Sequence, residues 1–177
     1  RAYHMCNIVA GFHPDIVGFQ ERNPGSVAGF TNLLLNETNY KIADEYRTDT
    51  NVANVHQCVP IAYNSKRFTL VSNDASNGNK AHGALMFRES QGVHEWSDSQ
   101  LLSSCNNKGL AWAVLKDKKT GDYVLALNAH LSLKTGSATN YTEQDAINDR
   151  LSNAGDAVRI MKEIYDVIII GSGIAGM

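Results

Sequence analysis

Two short stretches of this chain end in side chains that can act on a ligand. In His13-Pro14-Asp15-Ile16-Val17-Gly18-Phe19-Gln20-Glu21 a proline interrupts a helical run, a mostly apolar stretch follows, and a glutamate closes it. That order describes a buried strand delivering one carboxylate to the edge of a sheet, where ligands and catalytic groups gather. A carboxylate so placed is a candidate metal ligand, and the rest of the chain must supply its partners. The second stretch, Tyr123–Asn128, runs into Ala129-His130 and ends another strand in an amide and an imidazole. A third pattern lies near the C-terminus. Gly171, Gly173 and Gly176 follow Asp166–Ile170 with the spacing by which a strand, turn and helix cradle a dinucleotide pyrophosphate. No helix-length stretch follows it, nor an acidic residue about 20 positions later, so no working FAD or NAD site is expected there.

The elements that must hold these groups can be read from periodicity. Apolar residues at Met5, Ile8, Val9 and Phe12 have helical spacing over residues 1–12, and Pro14 ends that helix before a strand at Ile16–Phe19. Asn23-Pro24-Gly25 is a turn, and Val27, Phe30, Leu33 and Leu34 space a short helix. Tyr40–Ala43 reads as a strand and residues 49–57 as loop. Val59–Tyr63 and Phe68–Val71 flank Asn64-Ser65-Lys66-Arg67 in the manner of a hairpin. Residues 72–83 and 88–108 read as exposed loops, long enough to frame a cleft. Leu110–Lys116 and Tyr123–Asn128 form a second hairpin about Lys119-Thr120-Gly121-Asp122. A polar loop at Ser132–Thr142 leads to a helix over residues 143–164, apolar at Ile147, Leu151, Ala154, Val158 and Met161. Val167–Ile170 has the apolar character of a strand buried on both faces. This order predicts an α/β fold, a mixed sheet flanked by helices.

Composition bounds the rest. With 177 residues, 43% apolar and 19% charged, the chain is sized for one globular domain over 1–177. A net charge of −2 supplies no overall basic field for nucleic acid, although a local basic groove fits within a neutral total. No run of about 18 apolar residues exists to span a membrane, so a soluble monomer is expected. Cys6, Cys58 and Cys105 contain no C-x-x-C pair, which argues against zinc and allows one disulfide at most. The chain opens at Arg1 without a charged-then-apolar leader, as a processed form or an excerpt would. Asn36-Glu37-Thr38 and Asn140-Tyr141-Thr142 are glycosylation-type triplets and leave an extracellular location open.

Four segments in order resemble successive landmarks of the endonuclease/exonuclease/phosphatase family. They are Pro14–Glu21, Ile61-Ala62-Tyr63-Asn64-Ser65-Lys66-Arg67-Phe68, Trp112-Ala113-Val114-Leu115-Lys116, and Asn128-Ala129-His130-Leu131. These are the divalent-metal phosphoesterases of the pancreatic deoxyribonuclease, inositol polyphosphate phosphatase and sphingomyelinase type. The resemblance covers residues 8–170 and implies a partial α/β sandwich. It implies that Glu21, matching the glutamate of the family's Gln-Glu motif, ligates Mg²⁺ (or Mn²⁺ or Ca²⁺). It implies that His130 contacts the scissile phosphate or the leaving group, with Asn128 in support. Lys108 stands near where relatives carry a phosphate-facing arginine. A hard cation takes carboxylate oxygen and retains waters, and an imidazole at a strand end can donate to a phosphoryl oxygen as charge develops. The implied substrate is a phosphoester: nucleic acid, inositol phosphate or a phospholipid headgroup. Arg150 either pairs with an acid on its own helix or faces the substrate. His13, His56, His82 and His94 share no metal spacing and read as surface residues, and Trp96 and Trp112 as packing.

The chain departs from the family pattern after the long helix. A strand there should end in Gly-Asp-x-Asn, whose acid and amide orient the nucleophilic water and the phosphate. This sequence reads Gly171-Ser172-Gly173-Ile174 instead. The family's first-strand asparagine and final aspartate-histidine pair have no match. The resemblance therefore implies a phosphoesterase domain impaired in hydrolysis, with a non-catalytic binding or scaffold domain of the same fold as the alternative. Residues 166–177 either fill the family's strand position or are a foreign dinucleotide-binding piece.

Overall fold

Alternation of buried side chains along the strands sorts this chain into layers. The structure, a computed structural model, describes residues 2–20, 39–43, 59–74, 76, 80–87, 108–131 and 142–172. Helix α1 (Ala2–Phe12) leads to β1 (Ile16–Gly18), which joins β2 (Tyr40–Ile42) and β3 (Ile61–Asn64) in a sheet of order β1-β3-β2. The second sheet holds β4 (Phe68–Leu70), β5 (His82–Met86), β6 (Gly109–Asp117) and β7 (Tyr123–His130), with β6 pairing the other three. Helix α2 (Glu143–Ser172) follows. Every described strand pair is antiparallel.

Ile61 and Tyr63 point between the sheets and meet Phe68, Ala111, Ala113 and Leu115. Ala62, one step out of phase, faces Cys6 and Val9 of α1. On β6 the alternate residues Leu110, Trp112 and Val114 turn to Ile160 and Ile164 of α2. The side-chain period of two thus makes β6 a strand covered on both faces. The layers run helix, sheet, sheet, helix, an α/β sandwich. Full burial of a large apolar side chain contributes roughly 1.5–3 kcal/mol. Phe87, Ile61, Leu110 and Leu115 carry much of this core.

One end of the sandwich is fastened at the corner after β3. Arg67 donates its backbone N–H to the Asn64 carbonyl at 3.0 Å, and Asn64 Oδ1 accepts from the Lys66 N–H at 3.1 Å. The Arg67 guanidinium reaches Asp15 beside β1 and, at 3.0 Å, Asp117 at the end of β6. The turn after Asp117 is closed by Gly121 at φ 83°, a conformation glycine adopts without cost.

Several expectations are corrected. The residues flanking Asn64–Arg67 do not form a hairpin with each other: β3 pairs with β1 and β2, and β4 pairs with β6. The turn is real, but it carries the chain from one sheet to the other. Residues 72–83 are not all loop, because β5 begins at His82. Its Gly83 lies so close to Trp112 that an added Cβ would sit 2.6 Å from Cζ2, which explains a glycine inside the strand.

The long helix exists, beginning at a capping box in which the Asp145 N–H bonds Thr142 Oγ1 and the Thr142 N–H bonds Asp145 Oδ2. Its buried face differs from the expected one. Ala146, Asp149, Asn153, Ile160 and Ile164 are buried, whereas Ile147, Leu151 and Val158 are exposed, Leu151 by 66%. On α1, Cys6 and Val9 are covered while Ile8 and Phe12 are exposed.

Val167–Ile170 is helical, inside α2. A short apolar run does not by itself distinguish strand from helix. With no break after Ile164, extending an existing helix needs no new nucleus. The glycine pattern at 171–176 therefore lacks the preceding strand that its dinucleotide mechanics require. The expected helix at 27–34 and loop at 49–57 lie outside the described residues, as do Cys58 and Cys105. No helix among the described residues is long and apolar enough to cross a membrane.

Candidate functional site

The opposite end of the sandwich gathers the groups singled out by their chemistry. Here β1 and β7 finish and β3 and β6 begin. Phe19 donates its N–H to the Pro60 carbonyl at 3.0 Å, which holds the exit of β1 against the start of β3. Gln20 then donates from Nε2 to the Ala129 carbonyl at 2.8 Å. That bond links the end of β1 to β7 midway between Asn128 and His130. Glu21, the expected metal ligand, lies outside the described residues.

Asn128 is buried, and its amide is committed. Nδ2 donates to the carbonyls of Phe19 at 2.7 Å and Pro60 at 3.2 Å. Both partners are acceptors, which fixes the orientation of the amide. One side chain on β7 thereby ties two chain segments of the facing sheet. Gly18 makes room for it, since a Cβ there would lie 2.8 Å from both Cγ and Oδ1 of Asn128. Asn128 thus spends both amide hydrogens on backbone and positions the strands.

Lys108 and His130 meet directly, with Nζ and Nε2 3.0 Å apart. Gly109, the first residue of β6, is the antiparallel partner of His130, and Lys108 stands just before it, outside the strand. Lys108 is 1% exposed, an unusual burial for a lysine. An ammonium and an imidazole side by side can bind an anion by charge and by hydrogen bonds. Arg150 lies half-buried on α2.

Sequence reasoning missed Gln20 and the closeness of the Lys108–His130 pair.

A hard divalent cation requires a set of oxygen donors. Among the described residues, no group of three or more His, Cys, Asp or Glu side chains comes together to hold a metal ion. The described side chains at this end are two amides, an imidazole and a lysine amine, and the carboxylate expected among them, Glu21, lies outside the described residues.

No family model matches this chain, and no curated protein matches it in sequence. Solved structures match its fold. An endonuclease/exonuclease/phosphatase from Bacteroides vulgatus superposes with a TM-score of 0.62 at 19% identity, covering 93% of this chain and 52% of the other. A family protein from Bacteroides thetaiotaomicron gives 0.63 at 19% identity, with 93% and 50% covered. A mannosyl-6-phosphatase from Bacteroides thetaiotaomicron VPI-5482 gives 0.63 at 19%, with 98% and 53% covered. The chain spans about half the length of these structures. Its layered α/β sandwich is the fold of the endonuclease/exonuclease/phosphatase proteins.

Proposed function

We propose that this chain carries the phosphate-facing part of a Mg²⁺-dependent phosphoesterase site, working on a phosphodiester or phosphomonoester with reduced turnover. The observation that carries the reading is the contact between buried Lys108, just before β6, and half-buried His130, at the end of β7, beside the exit of β1. Lys108 and His130 bind the phosphoryl group, Asn128 holds the strands that present them, and Glu21, next after Gln20, contributes the carboxylate for the cation. A cation held there neutralises phosphoryl charge. Nucleic acid, inositol phosphate and phospholipid headgroups all present such a group.

Reduced turnover follows from residues 171–174, where no acid or amide stands to orient the water. A positioned general base is worth about 10²–10⁴ in rate. Mg²⁺-dependent binding of inorganic phosphate, measured by calorimetry, should be lost in both Glu21→Ala and His130→Ala. Release of nitrophenol from bis-nitrophenyl phosphate should remain slow. Phosphate binding indifferent to both substitutions would sink the site assignment, and robust hydrolysis would sink the reduced turnover.

One observation favours a binding or scaffold domain as a second reading. The Asn128 amide spends both hydrogens on backbone carbonyls and has no donor left for substrate. On that reading the phosphate binds without Mg²⁺ and no hydrolysis occurs.

A further inference from the structure

We propose that the outer edge of β7 pairs with the same edge of a second copy of this chain, antiparallel about a two-fold axis at Leu125. Strand β6 takes one side of β7 along its whole length, and among the described residues no strand takes the other. Hydrogen bonding shows which backbone groups face outward. Val114 donates its N–H to the Ala81 carbonyl and accepts from the Val71 N–H, both on the side of β6 away from β7. Its register partner Leu125 therefore gives neither backbone group to β6, and Tyr123, Leu127 and Ala129 stand in the same phase. At one end of this row the Ala129 carbonyl accepts from Gln20. The open part of the edge is residues 123–127.

Exposed strand edges are commonly guarded by a charge, a proline or a bulge. The stretch Tyr123-Val124-Leu125-Ala126-Leu127 has no charge and no proline, and its register with β6 is unbroken. Tyr123, Val124 and Leu127 are exposed by 49%, 37% and 36%. A second copy fits such an edge. Turned about a two-fold axis, the edge meets its own donors and acceptors in antiparallel order, the pairing every described strand of this fold uses. With Leu125 opposite its own copy, each opposed pair of outward residues exchanges both N–H···O bonds. Tyr123 then lies opposite Leu127, an aromatic–aliphatic pair, and the row carries no charge to oppose its like. So short a contact falls below the roughly 20–30 residues a side of a stable complex, so the dimer is weak and reversible.

Sedimentation velocity and amide hydrogen exchange of the full chain test this. With a Kd of about 0.1 mM, the Leu125 and Leu127 amides should exchange about fourfold more slowly at about 1 mM chain than at about 10 µM. The Val124 and Ala126 amides, in register to bond β6, should be slow at both. Sedimentation as a monomer over this whole range overturns the proposal. A dimer whose Leu125 and Leu127 amides still exchange fast overturns it too, and moves the contact elsewhere, as to the exposed Leu151 and Val158 of α2. Tyr123→Glu with Leu127→Glu sets acid opposite acid and should remove the dimer. Tyr123→Glu with Leu127→Lys sets opposite charges together and should keep it. If these two variants dimerise equally, or neither does, the proposal is overturned.

Discussion

Gly18 and Asn128 face each other so closely that their substitutions should not add. Asn128→Ala removes two hydrogen bonds, to the carbonyls of Phe19 and Pro60, the second of which keeps its bond from the Phe19 N–H. At about 0.5–1.5 kcal/mol net for each hydrogen bond, the loss should be about 1–3 kcal/mol. Gly18→Ala places a methyl 2.8 Å from Cγ and Oδ1 of Asn128 and 3.2 Å from Nδ2. The amide must swing away, so this variant should lose most of the same two bonds and cost a similar amount. In the double variant the clash is gone, because the methyl moves into space the amide has left. Its stability should match that of Asn128→Ala, a coupling of at least about 1 kcal/mol. Urea denaturation followed by far-ultraviolet circular dichroism on all four chains reads this directly. Losses that add within about 0.5 kcal/mol would refute the claim that Gly18 exists to accommodate the amide.

Gly83→Ala should push the Trp112 ring, whose Nε1 donates to the Lys80 carbonyl at 2.8 Å, out of its seat. Overpacking of this kind costs about 1–3 kcal/mol, and the near-ultraviolet dichroism of the indole should change with it. Asp117 should contribute a defined acid sensitivity. The Lys119 backbone N–H first, and then the Arg67 guanidinium, hold its carboxyl below the usual carboxylate range. Because the folded value lies below the unfolded one, the stabilisation is complete above the ordinary midpoint of about 3.9 and is lost as pH falls through the folded value. Asp117→Asn should therefore flatten the dependence of the urea midpoint on pH below about 4; an unchanged slope would show that the carboxylate contributes nothing there.

The sequence spoke most clearly where the signal was local. The β6–β7 hairpin follows from alternation on either side of Lys119–Asp122, and α2 begins at a cap readable in Thr142 and Asp145. It misled where partners lie far away in the chain. The turn at Asn64–Arg67 looks the same whether its flanking strands pair or part. What parts them is Arg67 reaching Asp15 and Asp117, residues 52 and 50 positions distant. On α2 the hydrophobic stripe and the buried face disagree because Asp149 and Asn153 are covered while Leu151 is not. Polar side chains in a buried stripe carry no periodic signature. Of the site, the roles of Asn128 and His130 were suggested by resemblance, but that Asn128 is a fastener required the structure.

The same separation in sequence orders events in time. The β6–β7 hairpin closes over a short turn, whereas the bonds from Gln20 to Ala129 and from Asn128 to Phe19 join residues 109 positions apart. Loops that long lose more chain entropy on closure, and non-local contacts of this kind form slowly. Lys108 and His130 are brought together by the hairpin alone, so their meeting needs nothing from the N-terminal third of the chain. The groups that would face a phosphate can thus assemble early, while the strand leading to Glu21 docks last. The reverse holds for opening: local unfolding that frees β1 would leave the cation–imidazole pair intact and withdraw the carboxylate segment from it.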